Sequence, residues 1–341
     1  MSSPERDFDD NPYDLLAEDH DEGHRWAFGT GFTDPLEGVD PSVPDGVDPG
    51  ALVRYCLALG DDALIYSHRL QQWVARLPEL EEETAVANIA LDLLGQARVL
   101  LARAGGIIGQ TEDQLAFFRE ERDFRNVRLA EHADRDFAEL VVRLLMFSTW
   151  RLALFESLSS GVPTGTGDPV LAAIAAKGVN ELAYHRDYAA NWVVRLGDGT
   201  SLSRSKTQAA LDTLWPLLGE LFRPDPDALA IAAGGTGTAG RTVTYGTGIA
   251  DGTATDRTGG PSAFDTSAFD RSACDHSAFD HGAFDAVLDT VLAAAGLDRP
   301  TTVPLAPVGG RTGRDGVHTE AMGYILAELQ SVARAHPDAT W

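Results

Sequence analysis

A chain of 341 residues with 52 acidic and 27 basic side chains carries a formal net charge of −25, which repels nucleic acid and anionic membranes at ordinary salt. Two cysteines, Cys56 and Cys274, are too few and too scattered for a disulfide framework or a thiolate metal site. No stretch approaches the ~18 consecutive apolar residues of a membrane span, and the acidic start lacks the apolar run of a secretory signal, so a soluble cytoplasmic protein is expected. Lys177 and Lys206 are the two lysines; the other basic residues are arginine. In molar salt the Debye length falls to about 3 Å and screens such a surface, so we read the charge as adaptation to a salty cytoplasm.

Residues 1–49 are rich in Asp, Glu, Gly and Pro and predict a disordered acidic tail, because they hold too little apolar surface to offset chain entropy. A first helix is predicted from about Ala51 to Leu77, with Leu52, Cys56, Leu59, Leu64, Leu70, Trp73 and Val74 at helical spacing. Pro78 and the Glu79-Leu-Glu-Glu-Glu opening suit the first turn of a second, running to about Arg103 and stopping at Gly105-Gly106. Thr111 with Gln114 makes a capping box for a short third helix. A fourth begins near Asp134 and carries the apolar run Leu140–Leu158. Asp168-Pro169 caps a fifth ending before Gly197, and a sixth spans about Ser203 to Leu221.

Residues 231–285 predict a low-complexity insertion: Gly, Thr, Ala and Ser up to Ser262, then Ser-Ala-Phe-Asp and close variants every five residues. Ala286–Ala295 and His318–Ala335 make the closing helices. No alternating strand pattern interrupts the series. The class is all-α, an elongated antiparallel helical bundle over residues 50–230 completed by 286–341.

Long antiparallel bundles often carry a di-iron centre, whose ligands are a Glu from each of two helices and a Glu-x-x-His from each of the other two. Within the predicted helices no glutamate has a histidine three positions later. The nearest candidates are Asp92-Leu-Leu-Gly95 and Glu181-Leu-Ala-Tyr184, the second followed by His185. The fourth helix has no carboxylate between Glu139 and Glu156. No catalytic, cofactor-binding or metal-binding residue is therefore expected in this chain. Two polar stripes remain inside apolar helices: Asn88, Asp92 and Gln96 on the second, and Lys177, Glu181 and His185 on the fifth, each spaced by four. The expectation is that the stripes meet in the bundle, with Lys177 supplying positive charge where related bundles hold metal. The competing expectation is a surface pair of Lys177 with Glu181.

Several blocks make the helical segments recognisable. They are Leu57-Ala-Leu-Gly-Asp-Asp62, Ser67-His-Arg-Leu70, Pro78-Glu-Leu-Glu81, Ala87-Asn-Ile-Ala-Leu-Asp-Leu-Leu-Gly-Gln-Ala-Arg98 and Leu115-Ala-Phe-Phe-Arg-Glu-Glu-Arg-Asp-Phe-Arg-Asn126. Ala176-Lys177, Tyr184-His185, Gly316-Val-His-Thr-Glu320 and Leu326-Ala-Glu-Leu-Gln330 follow. Together they resemble the PaaC-like family, the structural component of phenylacetyl-CoA 1,2-epoxidase, over roughly residues 51–222 and 311–341. The resemblance implies a ferritin-like bundle acting as the non-catalytic structural subunit of a multicomponent monooxygenase. It implies pairing with a homologous catalytic subunit that holds the di-iron centre, and self-association within a larger hetero-oligomer. It also implies NADPH-derived electrons delivered by a reductase with flavin and iron–sulfur groups. Trp73, Phe117, Phe118, Phe124 and Trp150 are candidate anchors for such a partner. A self-sufficient di-iron oxygenase with atypical ligands stays open as the alternative.

Overall fold

The computed structural model describes residues 36, 38–77, 79–160, 167–234, 281–337 and 339. The chain divides into two units, 1–37 and 38–341; the fold described below is that of the second. The predicted tail up to residue 35 and the insertion between 235 and 280 lie outside the described residues.

The helices are α1 (Pro49–Gln71), α2 (Leu80–Ile108), α3 (Glu112–Phe117), α4 (Arg128–Glu131), α5 (Phe137–Ser159), α6 (Pro169–Asp198), α7 (Ser201–Leu214), α8 (Pro226–Gly234), α9 (His281–Ala295) and α10 (Glu320–Ala335). Among the described residues there is no β-strand. Two hairpins, α1 with α2 and α5 with α6, pack most extensively, and α2 meets α6 to join them into a four-helix bundle. At 1.5 Å per residue α2 and α6 are roughly 44 Å long. α7 and α9 pack on the α5/α6 side, and α8 on α1.

The predicted caps hold where side chains do the work. Asp168 accepts from Leu171 ahead of α6, and Thr111 and Gln114 form the reciprocal box of α3; α1 has a cap that was not expected, the Asp48 carboxylate accepting from the Gly50 and Ala51 amides. The predicted glycine stop does not hold. α2 runs through Gly105 and Gly106 and ends at Gly109, φ 72°. A Cβ on Gly105 would collide with the Gln110 carbonyl, so this glycine makes room for the chain to turn back. The first helix also ends earlier than expected. Trp73 and Val74 lie in a turn with Ala75 at φ 67°. The predicted sixth helix is split, because Pro216 leads from α7 into a tighter 3₁₀ turn over Trp215–Glu220. The bundle unit also begins before residue 50: Arg103 on α2 donates to the carbonyls of Pro41 and Ser42 and pairs with Asp168, fastening residues 38–48 to it.

α5 is buried on nearly every side, as an all-round apolar helix must be. Tyr66 of α1 and Phe147 of α5 meet edge to face at 4.5 Å. Phe124 and Trp150, expected as partner anchors, are 0% and 3% exposed and belong to the core; the Trp150 indole donates to the Leu221 carbonyl. Among the described helices, α2 alone is long and apolar enough to cross a membrane by length and composition. Here it packs against α1, α3 and α6.

The core also contains charge. Arg143 of α5 is fully buried, pairs with Asp134, donates to the Ala130 carbonyl at 3.1 Å and lies over the Tyr66 ring. His132 sits beside this group, 3.6 Å from Glu139. Burial, reinforced by Arg143, lowers its pKa to about 4. The folded chain thus binds this proton less tightly than the unfolded chain. The stability carried by neutral His132 is full above pH 6.5 and is lost as pH falls towards 4. Burial pushes Asp134 up to about 6, which acts in the opposite sense over much of that window. The expected result is therefore a difference: between pH 6.5 and 4 the wild type loses more denaturation midpoint than His132→Gln. Parallel slopes in urea titrations would contradict it.

Candidate functional site at the bundle centre

α2, α5 and α6 bring a chain of polar groups together midway along the bundle. The Arg151 guanidinium of α5, fully buried, donates through Nε to Gln96 Oε1 at 3.0 Å. The Gln96 amide on α2 then donates to Glu181 Oε2 on α6 at 2.9 Å. Gln96 is 4% exposed and its two ends face opposite charges, which fixes the amide orientation. On its other side Arg151 Nη1 lies 4.0 Å from Asp62 of α1, while the guanidinium carbon stands 4.4 Å from the centre of the Phe155 ring. Gly178 permits this packing, since a Cβ there would come within 2.6 Å of Phe155 and 3.3 Å of the Gln96 amide.

Asp62 is the negative pole of the network. It is fully buried, receives Arg314 through bonds of 2.7 and 3.0 Å, and accepts the Val127 amide at 2.8 Å. Burial raises its pKa, and Arg314 and Arg151 pull it back down. Burial likewise lowers Arg151 to about 10, with Asp62 opposing, and raises Glu181, with the Gln96 hydrogen bond opposing. One turn along from Gln96 and Glu181, His185 Nε2 meets Asp92 Oδ2 at 3.0 Å. The histidine is buried, and the aspartate side chain is 39% exposed.

The two stripes therefore meet at Gln96 with Glu181 and at Asp92 with His185. Lys177 and Asn88 are exposed instead, a correction to the expected interior lysine. Ile174, Ala175, Gly178, Leu182 and His185 form the inward face of α6 and leave Lys177 on the flank. The interior cation is Arg151, which the sequence reading passed over. Its signal was available: Arg143 and Arg151 are the two basic residues within the apolar run of α5.

The residues present do not fit a di-iron centre. Gly95 and the half-exposed Tyr184 stand where histidines are needed, α5 contributes a guanidinium, and the α1 carboxylate is engaged by Arg314. Among the described residues no group of three or more His, Cys, Asp or Glu side chains is placed to hold a metal ion.

The architecture is thus that of a ferritin-like four-helix bundle with an ion-paired, hydrogen-bonded network at its centre. The chain belongs to the phenylacetic acid catabolic protein family, which matches over residues 43–244 and 272–341. It is 35% identical over 292 residues to the C subunit of 1,2-phenylacetyl-CoA epoxidase from Escherichia coli (strain K12), an alignment that takes in 85% of this chain and 99% of the relative. The family match leaves out part of the Gly/Thr-rich and repeat segment.

Proposed function

We propose that this chain is the non-catalytic structural subunit of a phenylacetyl-CoA epoxidase in aerobic phenylacetate catabolism. It pairs with, and supports, a homologous subunit that holds the di-iron centre. The observation that carries this reading is the Arg151–Gln96–Glu181 network. It fills the middle of the bundle with a cation and an amide, where oxygen chemistry on iron requires carboxylate and imidazole ligands. The similarity to an epoxidase subunit over nearly its whole length supplies the reaction. In this reading NADPH-derived electrons reach the partner's iron through a separate flavin and iron–sulfur reductase. The subunits work in a cytoplasm salty enough to screen a net charge of −25.

The test is to purify the chain in high salt, alone and with the catalytic subunit, and to assay iron and reductase-supported conversion of phenylacetyl-CoA. The expected result is an iron-free, inert chain that forms a stable complex, with activity appearing only in that complex. Stoichiometric iron and turnover in the chain alone would overturn the proposal.

A further inference from the structure

We infer that the segment Pro300–Gly310 is a docking strap for the catalytic subunit, an inference that rests on the partnership proposed above. Pro300-Thr-Thr-Val-Pro-Leu-Ala-Pro-Val-Gly-Gly310 contains no ionisable side chain, in a chain where 23% of residues are charged. Thr301 through Gly310 are all exposed; Val303 is 82%, Val308 63% and Leu305 45% exposed. Other exposed apolar residues, such as Leu202 and Leu229, stand singly in helices, which needs no explanation. A continuous apolar stretch in the open marks a surface that something else covers.

The strap is held in place from behind. The Leu305 amide donates to the Pro216 carbonyl at 2.7 Å. Pro304 lies so close to Gly219 that a Cβ there would come within 2.6 Å of the proline ring. At its far end Val308 and Arg311 exchange two backbone hydrogen bonds around Gly309 and Gly310, at φ 59° and 81°, a reversal that favours glycine. Pro300, Pro304 and Pro307 restrict the backbone further. A strap this constrained loses little entropy on docking. Proline-rich extended segments are read by apolar, aromatic-lined grooves.

Charge selects the kind of groove. Exposed Arg223 and Arg311 flank the glycine turn, Arg223 donating to the Gly310 carbonyl at 3.4 Å. Asp315 lies between them, its carboxylate 3.9 Å from Arg223 and its carbonyl accepting from Arg311. The matching partner surface is an apolar slot with carboxylates at its rim. A second copy of this chain facing this one across a two-fold axis would bring another arginine-flanked strap where a carboxylate-rimmed slot is needed, so a different subunit is the occupant.

Two measurements test this on the full chain with the catalytic subunit. Val303→Asp with Val308→Asp should weaken association at least tenfold without moving the melting temperature, because both side chains already face solvent. Leu202→Asp, on the exposed surface of α7, should bind as wild type. In a Cys274→Ser background, with Cys56 buried, the thiol of Val303→Cys should label quickly in the lone chain and at least tenfold more slowly in the complex. A complex that forms equally well with the double variant overturns the strap and leaves the partnership standing. A thiol already protected in the lone chain shows that the chain's own residues cover the strap, and also overturns it. Absence of any complex with the wild-type chain overturns both.

Discussion

Asp134→Ala should destabilise the chain by about 3–5 kcal/mol, the usual consequence of leaving a buried charge without its counter-ion. Both partners of the Asp134–Arg143 pair are 0% exposed. Removing the carboxylate strands a guanidinium left with the Leu129 and Ala130 carbonyls and the Tyr66 ring face, none of which carries a countercharge. Replacing both partners together, Asp134→Leu with Arg143→Met, should restore most of the loss, because a buried pair can often be exchanged for apolar packing at little net cost. Urea unfolding of the single and double variants checks both. A single variant as stable as wild type would mean that water reaches Arg143 in the folded state.

The second large effect is expected at Asp62. Among the described residues, Asp62 supplies the carboxylate within ion-pair distance of Arg151 and is also the partner of Arg314. Asp62→Ala removes both contacts, and the loss should again be about 3–5 kcal/mol. It should be accompanied by loosening of the C-terminal segment, which Arg314 ties to α1 and, through the Arg125 carbonyl, to the stretch ahead of α4. Asp62→Asn keeps an oxygen for the Val127 amide and should lose less. Amide hydrogen exchange distinguishes the outcomes: residues 312–319 should exchange faster in both variants, and most in the alanine. Unchanged exchange there would detach Asp62 from any role in holding that segment.

The helices themselves were largely legible, because long apolar periodicities and side-chain caps are local signals. Thr111 with Gln114, and Asp168 with Pro169, could be read residue by residue. What could not be read was decided by partners distant in the chain. Gly105 looks like a helix stop until the Gln110 carbonyl is seen to occupy the space of its missing Cβ. The four-residue helix α4 has no cap signal; it is set by Asp62 accepting the Val127 amide and Glu220 accepting the Arg128 amide. At the centre, spacing by four located Gln96, Glu181, Asp92 and His185 but favoured the wrong cation. Rarity drew attention to Lys177, whereas Arg151 was hidden among many arginines and meets its partners only after folding, Gln96 being 55 residues away in the chain. Leu57–Asp62 was recognisable as a block without revealing its purpose. Asp61 receives Arg119 and the Arg125 amide, and Asp62 anchors the network.

A guanidinium at the heart of the bundle changes how its folding is supplied. In a metalloprotein, clustered carboxylates repel one another until an ion arrives from solution, so stability follows the free concentration of that ion. Here the countercharges to Asp62 are the guanidinium groups of Arg314 and Arg151, covalently part of the chain and delivered with every newly made copy. In the assembly proposed above, this chain would then be ready at any level of cellular iron, and scarcity of the metal would fall on its partner alone.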